Sequence, residues 1–269
     1  MDIQLSSLTG MALSGHQTNS LVLFMLFVIG CVIASFVNAT LYRLDNNYNW
    51  KDLILNRSHC EKCKHVLSWW ELIPIIGYLI LKGRCRKCKE RISIYYPLSE
   101  LFLGISFLLF GLYSAPLHAW IALIFLFSLS YYDYIYRAIP QMIVHLFLIF
   151  ALIYFCGFNL NLPSLIAAAV VLIMIGILVY FLEKSFGLGD ILLLVGLGLL
   201  SKYNEFLVLF WVGIFTAIVF CVFYSIIKKK KFLKIKIPML PFFTFSYVIA
   251  VVFGSVIFDF LRETFHLAI

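Results

Sequence analysis

Along its 269 residues the chain alternates long, nearly unbroken apolar stretches with short polar breaks. A helix that crosses a bilayer needs roughly 20 apolar residues, fewer where neighbouring helices shield it. Stretches meeting this lie at 21–42, 97–114, 118–134, 141–157, 162–182, 186–200, 205–227 and 239–261, the sixth short and rich in glycine. The pattern predicts an all-α, polytopic membrane protein of about eight transmembrane helices. The connectors "SAPLH" and "CGFNLNLP" carry no charge, whereas the break at 43–96 is long and polar. There is no internal repeat and no Gly/Ser or Pro-rich linker.

Composition agrees with this pattern: 63% of the residues are hydrophobic, 13% are charged, and the mean hydropathy is +1.01. A soluble domain carries about 25% charged residues, so the deficit points to lipid. The 27 Phe and 15 Tyr suit a chain whose aromatic rings line bilayer interfaces. The net charge of +8 invites a nucleic-acid partner, but its distribution gives another reason for it. With eight spans and an outside N-terminus, the segment 43–96, Arg137, Lys184 and the run "KKKKFLKIK" fall on one side. Together they hold 19 of the 21 Lys and Arg, leaving Lys202 and Arg262 opposite. The positive-inside rule makes the rich side cytosolic. The basic charge then serves topology and anionic headgroups, and nucleic acid is not needed. Residues 1–20 contain no Lys or Arg, unlike a cleavable signal, so they are expected to be an outside tail before a retained first helix, 21–42.

Cytosolic placement decides the chemistry of the cysteines. Cys31, Cys156 and Cys221 stand alone in apolar runs and are expected to be small buried residues. The other four form two C-x-x-C pairs, Cys60/Cys63 and Cys85/Cys88, in the basic segment. Two such knuckles converge on one tetrahedral zinc. Disulfides would need an oxidising compartment. Neighbouring Lys and Arg offset the charge of four thiolates and favour that form. Four cysteines also close the coordination sphere, so the zinc is structural. His59 and His65 are alternative ligands or neighbours, although surface histidines explain them as well.

A carboxylate in lipid costs about 2.5–3.5 kcal/mol on insertion scales, so each one needs a reason. Asp133, in "SLSYYDYIYRAIP", and Asp190, in "FGLGDILLL", fall at the same face of the predicted topology. Singly, each has an ordinary reading: Asp133 pairs with Arg137 one turn on, and Asp190 caps its helix after Gly187 and Gly189. Together they form a carboxylate pair in which one acts as base on a water and the other polarises a scissile carbonyl. The glycines would let backbone or substrate approach closely. Glu71 and Glu100 border the same face and are candidates to hold a basic substrate, with helix-start placement the competing reading for Glu100, just after Pro97. His118 and His145 are expected at interfaces or in the core, and Asp259 and Glu263 in water.

The segments "GCVIASFVNATLYRL", "SHCEKCKHVLSWWELIPIIGYLILKGRCRKCKERISIYYPLSELFLG", "YYDYIYRAIP" and "GLGDILLLVGLGLL" resemble the bacterial type IV prepilin peptidases, which are GxGD-type membrane aspartyl proteases. The resemblance runs over roughly residues 20–260. It implies an enzyme of the bacterial plasma (inner) membrane whose active site faces the cytosol. Such an enzyme removes short basic leaders from prepilin-like membrane substrates. The resemblance also makes Asp133 and Asp190 the catalytic pair and the four cysteines the zinc ligands. It divides the chain into a cytosolic zinc-binding loop, 43–96, and a membrane catalytic domain, 97–269. Many bacterial members also methylate the new N-terminus with S-adenosylmethionine, but no glycine-rich strand–turn–helix fingerprint is visible here. Two features depart from the family: Ile191–Leu192 stand where a basic residue is usual, and "PMLP" where the family has Gly-Pro.

Two other readings compete. One is a presenilin-like intramembrane protease, which "YYDYIY" partly mimics but whose pattern lacks the cysteine knot. The other is a non-enzymatic membrane adaptor that docks a partner through its zinc loop.

Overall fold

The computed structural model of the chain describes residues 19–46, 48, 51, 57–158, 173, 187–228 and 237–265. Most of the predicted outside tail, the predicted span 162–182 and the basic run 229–236 lie outside the described residues. Eight α-helices are described: α1 (Ser20–Asp45), α2 (Ile76–Ile80), α3 (Tyr95–Leu112), α4 (Leu117–Tyr136), α5 (Gln141–Phe158), α6 (Leu188–Leu200), α7 (Tyr203–Lys228) and α8 (Leu240–Phe265). Two isolated β-bridges accompany them, and no extended strand occurs among the described residues. Six of the helices, α1, α3, α4, α5, α7 and α8, are long and apolar enough to cross a membrane. Helix α6 has 13 residues, about 20 Å at 1.5 Å per residue, and is short for a span, as its sequence suggested.

The chain forms two compact units, Met1–Ala115 and Pro116–Ile269. In the first, α1 packs on α3. The contact is close because glycine faces backbone: a Cβ on Gly30 would come within 2.7 Å of the Leu103 carbonyl oxygen and 2.9 Å of Gly104 Cα. Without a hydrophobic drive between helices in lipid, such small-residue contact supplies the attraction. Buried Asn38 adds a cross-helix bond, its Nδ2 donating to Ser99 Oγ at 2.9 Å. At the amino end of α1 the Asn19 side chain accepts the Leu21 N–H, a normal helix cap.

In the second unit α8 packs on both α4 and α7, and α5 packs on α6. Leu126, Phe147, Leu193, Phe206, Phe243 and Tyr247 are fully buried there. Ser130 and Thr244 meet between α4 and α8 at 2.5 Å, and Thr244 reaches the Leu126 carbonyl at 3.3 Å. Large apolar side chains such as Trp211, Phe215 and Phe223 on α7 are exposed, as a lipid-facing surface requires. One sequence expectation changes here. Cys31 and Cys221 are buried, but Cys156 is exposed, because it continues the outward stripe of Ile149, Leu152 and Ile153 on α5.

Candidate functional site

The cysteine lobe of the first unit is built twice over from one local pattern. The Cys60 N–H donates to the His65 carbonyl at 2.9 Å and the Lys64 N–H to the Cys60 carbonyl at 3.0 Å. In the second knuckle the Cys85 N–H donates to Glu90 at 2.8 Å and the Lys89 N–H to Cys85 at 3.0 Å. Lys64 and Lys89 both turn the chain at positive φ, 55° and 61°. Bridges His59–Val66 and Arg84–Arg91 close the two loops. The result gathers four Sγ atoms within 4.8 Å of one another, with Cys60–Cys88 at 3.8 Å and Cys63–Cys85 at 3.9 Å. Zn–S bonds of about 2.3 Å at tetrahedral angles imply sulfur–sulfur edges of about 3.8 Å, so the four residues fit a metal. The N–H groups of Cys88 and Lys87 aim at the Cys85 sulfur and lower its pKa from 9.0 to about 7, against the opposing effect of burial. His59 and His65 stand apart from this group: His59 faces Tyr48 and His65 lies 4.0 Å from Glu71.

Glu71 and Glu100 are both buried, and both hold backbone. Glu71 Oε2 accepts the Ser68 N–H at 2.7 Å across the short 3₁₀ turn Trp69–Leu72. Glu100 Oε2 accepts the Ile75 N–H at 2.7 Å. Glu100 is thus not at the start of its helix: it lies on the sixth residue of α3 and reaches sideways to brace the segment before α2. Both line a cavity of about 630 Å³ together with Asn38, Tyr42, Tyr78 and Tyr96.

The aspartates belong to the second unit. Asp133 is buried near the end of α4, and its Oδ2 accepts the Leu240 N–H at 2.8 Å. Leu240 opens α8, so Asp133 supplies the acceptor that Met239, just before the helix, has no side chain to provide. Arg137 ends α4 in the left-handed region at φ 53°, its N–H donating to the Asp133 carbonyl at 3.0 Å. Asp190 is half-buried in the first turn of α6, and its Oδ2 accepts the Gly187 N–H at 3.2 Å. The cap of that helix is therefore Gly187, with Asp190 reaching back from inside it. The charge of Asp133 is felt at Asp190, behind the effects of burial and of the Gly187 N–H. Each carboxylate also meets a helix N-terminus, that of α8 for Asp133 and of α6 for Asp190, where the backbone favours negative charge.

Gly187 has φ −75° and ψ 154°, which any residue adopts. A Cβ on Gly189 would make only ordinary contact with Ile139, at 3.5 Å. Neither glycine is demanded by the fold. The partner that sequence reading missed is the start of α8. Its signal lay in "PMLP", where Pro238 and Pro241 mark a helix beginning. No local pattern ties that start to Asp133.

Residues 28–113 match a family model described as the bacterial peptidase A24 N-terminal domain, and residues 120–226 match that of the type IV leader peptidase family. A prepilin leader peptidase/N-methyltransferase of Pseudomonas putida is 34% identical over 202 residues, covering 64% of this chain and 70% of that protein. Proteins of the same description from Vibrio cholerae and Bacillus subtilis are 31% identical over 141 residues and 30% identical over 186. These alignments cover 49% and 65% of this chain, and 56% and 72% of those proteins. The chain belongs to the type IV leader peptidase family. It spans little more than half the length of the Vibrio cholerae relative. No solved structure matches it with significance.

Proposed function

We propose that the protein is a membrane aspartyl endopeptidase that removes short basic leaders from type IV prepilin-like membrane proteins. The observation that supports this reading is that Asp133 and Asp190 each hold the N–H at a helix start and that the charge of Asp133 is felt at Asp190. Two carboxylates so paired share a proton rather than both ionising freely. One takes a proton from an attacking water, while the other gives its proton to the oxygen of the scissile carbonyl.

The basic split of the sequence supports a bacterial inner-membrane enzyme with the pair and the 43–96 lobe facing the cytosol. The substrate's basic leader would stay on that side and its apolar helix in lipid, bringing the scissile bond to the boundary where water reaches both aspartates. Cys60, Cys63, Cys85 and Cys88 would hold a structural zinc that staples the lobe. The relatives' names also carry N-methylation. Among the described residues no glycine-rich strand–turn–helix cradles S-adenosylmethionine, so methylation rests on those names alone.

The test is cleavage of a prepilin-like substrate, read by mass spectrometry, at matched enzyme levels. Asp133→Asn and Asp190→Asn keep size and hydrogen bonding but cannot carry the proton. Each should lose about 10³-fold in rate. Near-normal cleavage by either variant would remove that residue from the chemistry.

A further inference from the structure

We propose that α2, with Trp69 beside it, is a wedge seated in the headgroup layer of an anionic bilayer, on the leaflet that α3 enters. Ile76, Leu79 and Ile80 are 51%, 65% and 57% exposed, and Trp69 is 76% exposed. Positions i, i+3 and i+4 share one face of a helix, so the three aliphatic side chains form a single apolar surface. The opposite face is anchored: Gly77 is buried with its Cα against the Glu71 backbone, leaving no room for a Cβ.

Depth is set by Glu100. It lies five residues into α3, about 8 Å along the helix axis at 1.5 Å per residue. Its carboxylate grips the Ile75 N–H at 2.7 Å, so α2 begins alongside the second turn of a membrane-crossing helix rather than above it. Ile75 adopts φ 63° to make this connection, unusual for a β-branched residue and fixed by the bonds on either side. Ile94, just before α3, and the exposed stripe Leu98, Leu101 and Ile105 on it carry the same apolar surface on into the bilayer.

Charge names the occupant. Lys82, Arg84, Arg86, Lys87, Lys89 and Arg91 follow α2 directly, and all are exposed. The Arg86 guanidinium lies 5.6 Å over the Trp70 ring. An apolar face with an exposed tryptophan and a cationic border is the composition of a helix lying in the plane of an anionic membrane surface. Seated so, the wedge fixes the height of the cysteine lobe above the leaflet without touching the aspartates' chemistry.

The experiment is photo-crosslinking of the full-length protein in nanodiscs of phosphatidylcholine and phosphatidylglycerol in equal amounts. p-Benzoylphenylalanine replaces Leu79, Ile105 or Lys87 in turn, and adducts are read by mass spectrometry. Leu79 should give lipid adducts at a yield near that of Ile105 and at least about tenfold above Lys87, the factor that burying one leucine side chain supports. Phosphatidylglycerol should exceed phosphatidylcholine among them. Adducts to a second copy of the chain would overturn the proposal in favour of self-association. A Leu79 yield equal to that of Lys87 would show the face to be in water, and a phosphatidylcholine excess would overturn the anionic surface.

Discussion

In the cysteine lobe each sulfur is positioned by its own short loop, through bonds such as Cys60 to His65 and Cys85 to Glu90 that span five residues. Asp190 is positioned in the same local way, by Gly187 three residues earlier. Asp133 differs: its partner, the Leu240 N–H, lies 107 residues away at the start of another helix. The lobe can therefore be shaped piece by piece, its halves joined by the Lys62–Glu90 ion pair and, as proposed, by a metal. The proposed aspartate pair would come into being only once α4 and α8 are packed together and α6 is held against α5. A lesion in the lobe should act on stability, and one around the aspartates on rate.

Three substitutions press on that contrast. The largest effect should follow Cys60→Ser, which removes one of the four proposed ligands. Metal affinity should fall by more than the about 10–100-fold typical of losing an outer partner, so that the metal content read by atomic emission drops well below one per chain. Folded yield should drop with it, while the molecules that remain folded keep their rate. A stable but inactive Cys60→Ser protein would erase the distinction between the two regions. Next comes replacement of the amide at Leu240 by an ester, which deletes one N–H and leaves every side chain in place. Loss of a hydrogen bond to a charged group is worth about 1.5–3 kcal/mol, so cleavage should slow by about 10–100-fold with a smaller change in melting temperature. The smallest is Gly189→Ala. Its Cβ meets Ile139 at 3.5 Å without clash, so stability should move by no more than about 0.5 kcal/mol. Cleavage should still fall about tenfold if the substrate backbone runs against this turn beside Asp190, because a methyl would hold it off. An unchanged rate would put the substrate elsewhere.

How much the sequence disclosed follows the same divide. Spans were legible because lipid demands long apolar runs, and even the shortness of α6 was written in its glycines. The two knuckles were legible because C-x-x-C is a local pattern. The outward face of Cys156 was not, since an apolar run gives no hint of which side of a helix meets lipid. Nor was the hold that Glu71 and Glu100, read in sequence as candidates for a basic substrate, have on the N–H groups of Ser68 and Ile75. A carboxylate that caps backbone in another segment looks, in sequence, like any other acid near a membrane. The capping of α8 by Asp133 stayed hidden for that reason.

The central claim, that Asp133 and Asp190 act as one unit, is tested most directly by comparing each single Asn variant with the double variant in the same leader-cleavage assay. Residues that act together lose nearly everything at the first change, so the double should be no slower than the slower single, within about threefold. If the losses instead multiply, two independent effects of about 10³-fold giving about 10⁶-fold, the aspartates work separately and the paired mechanism is wrong.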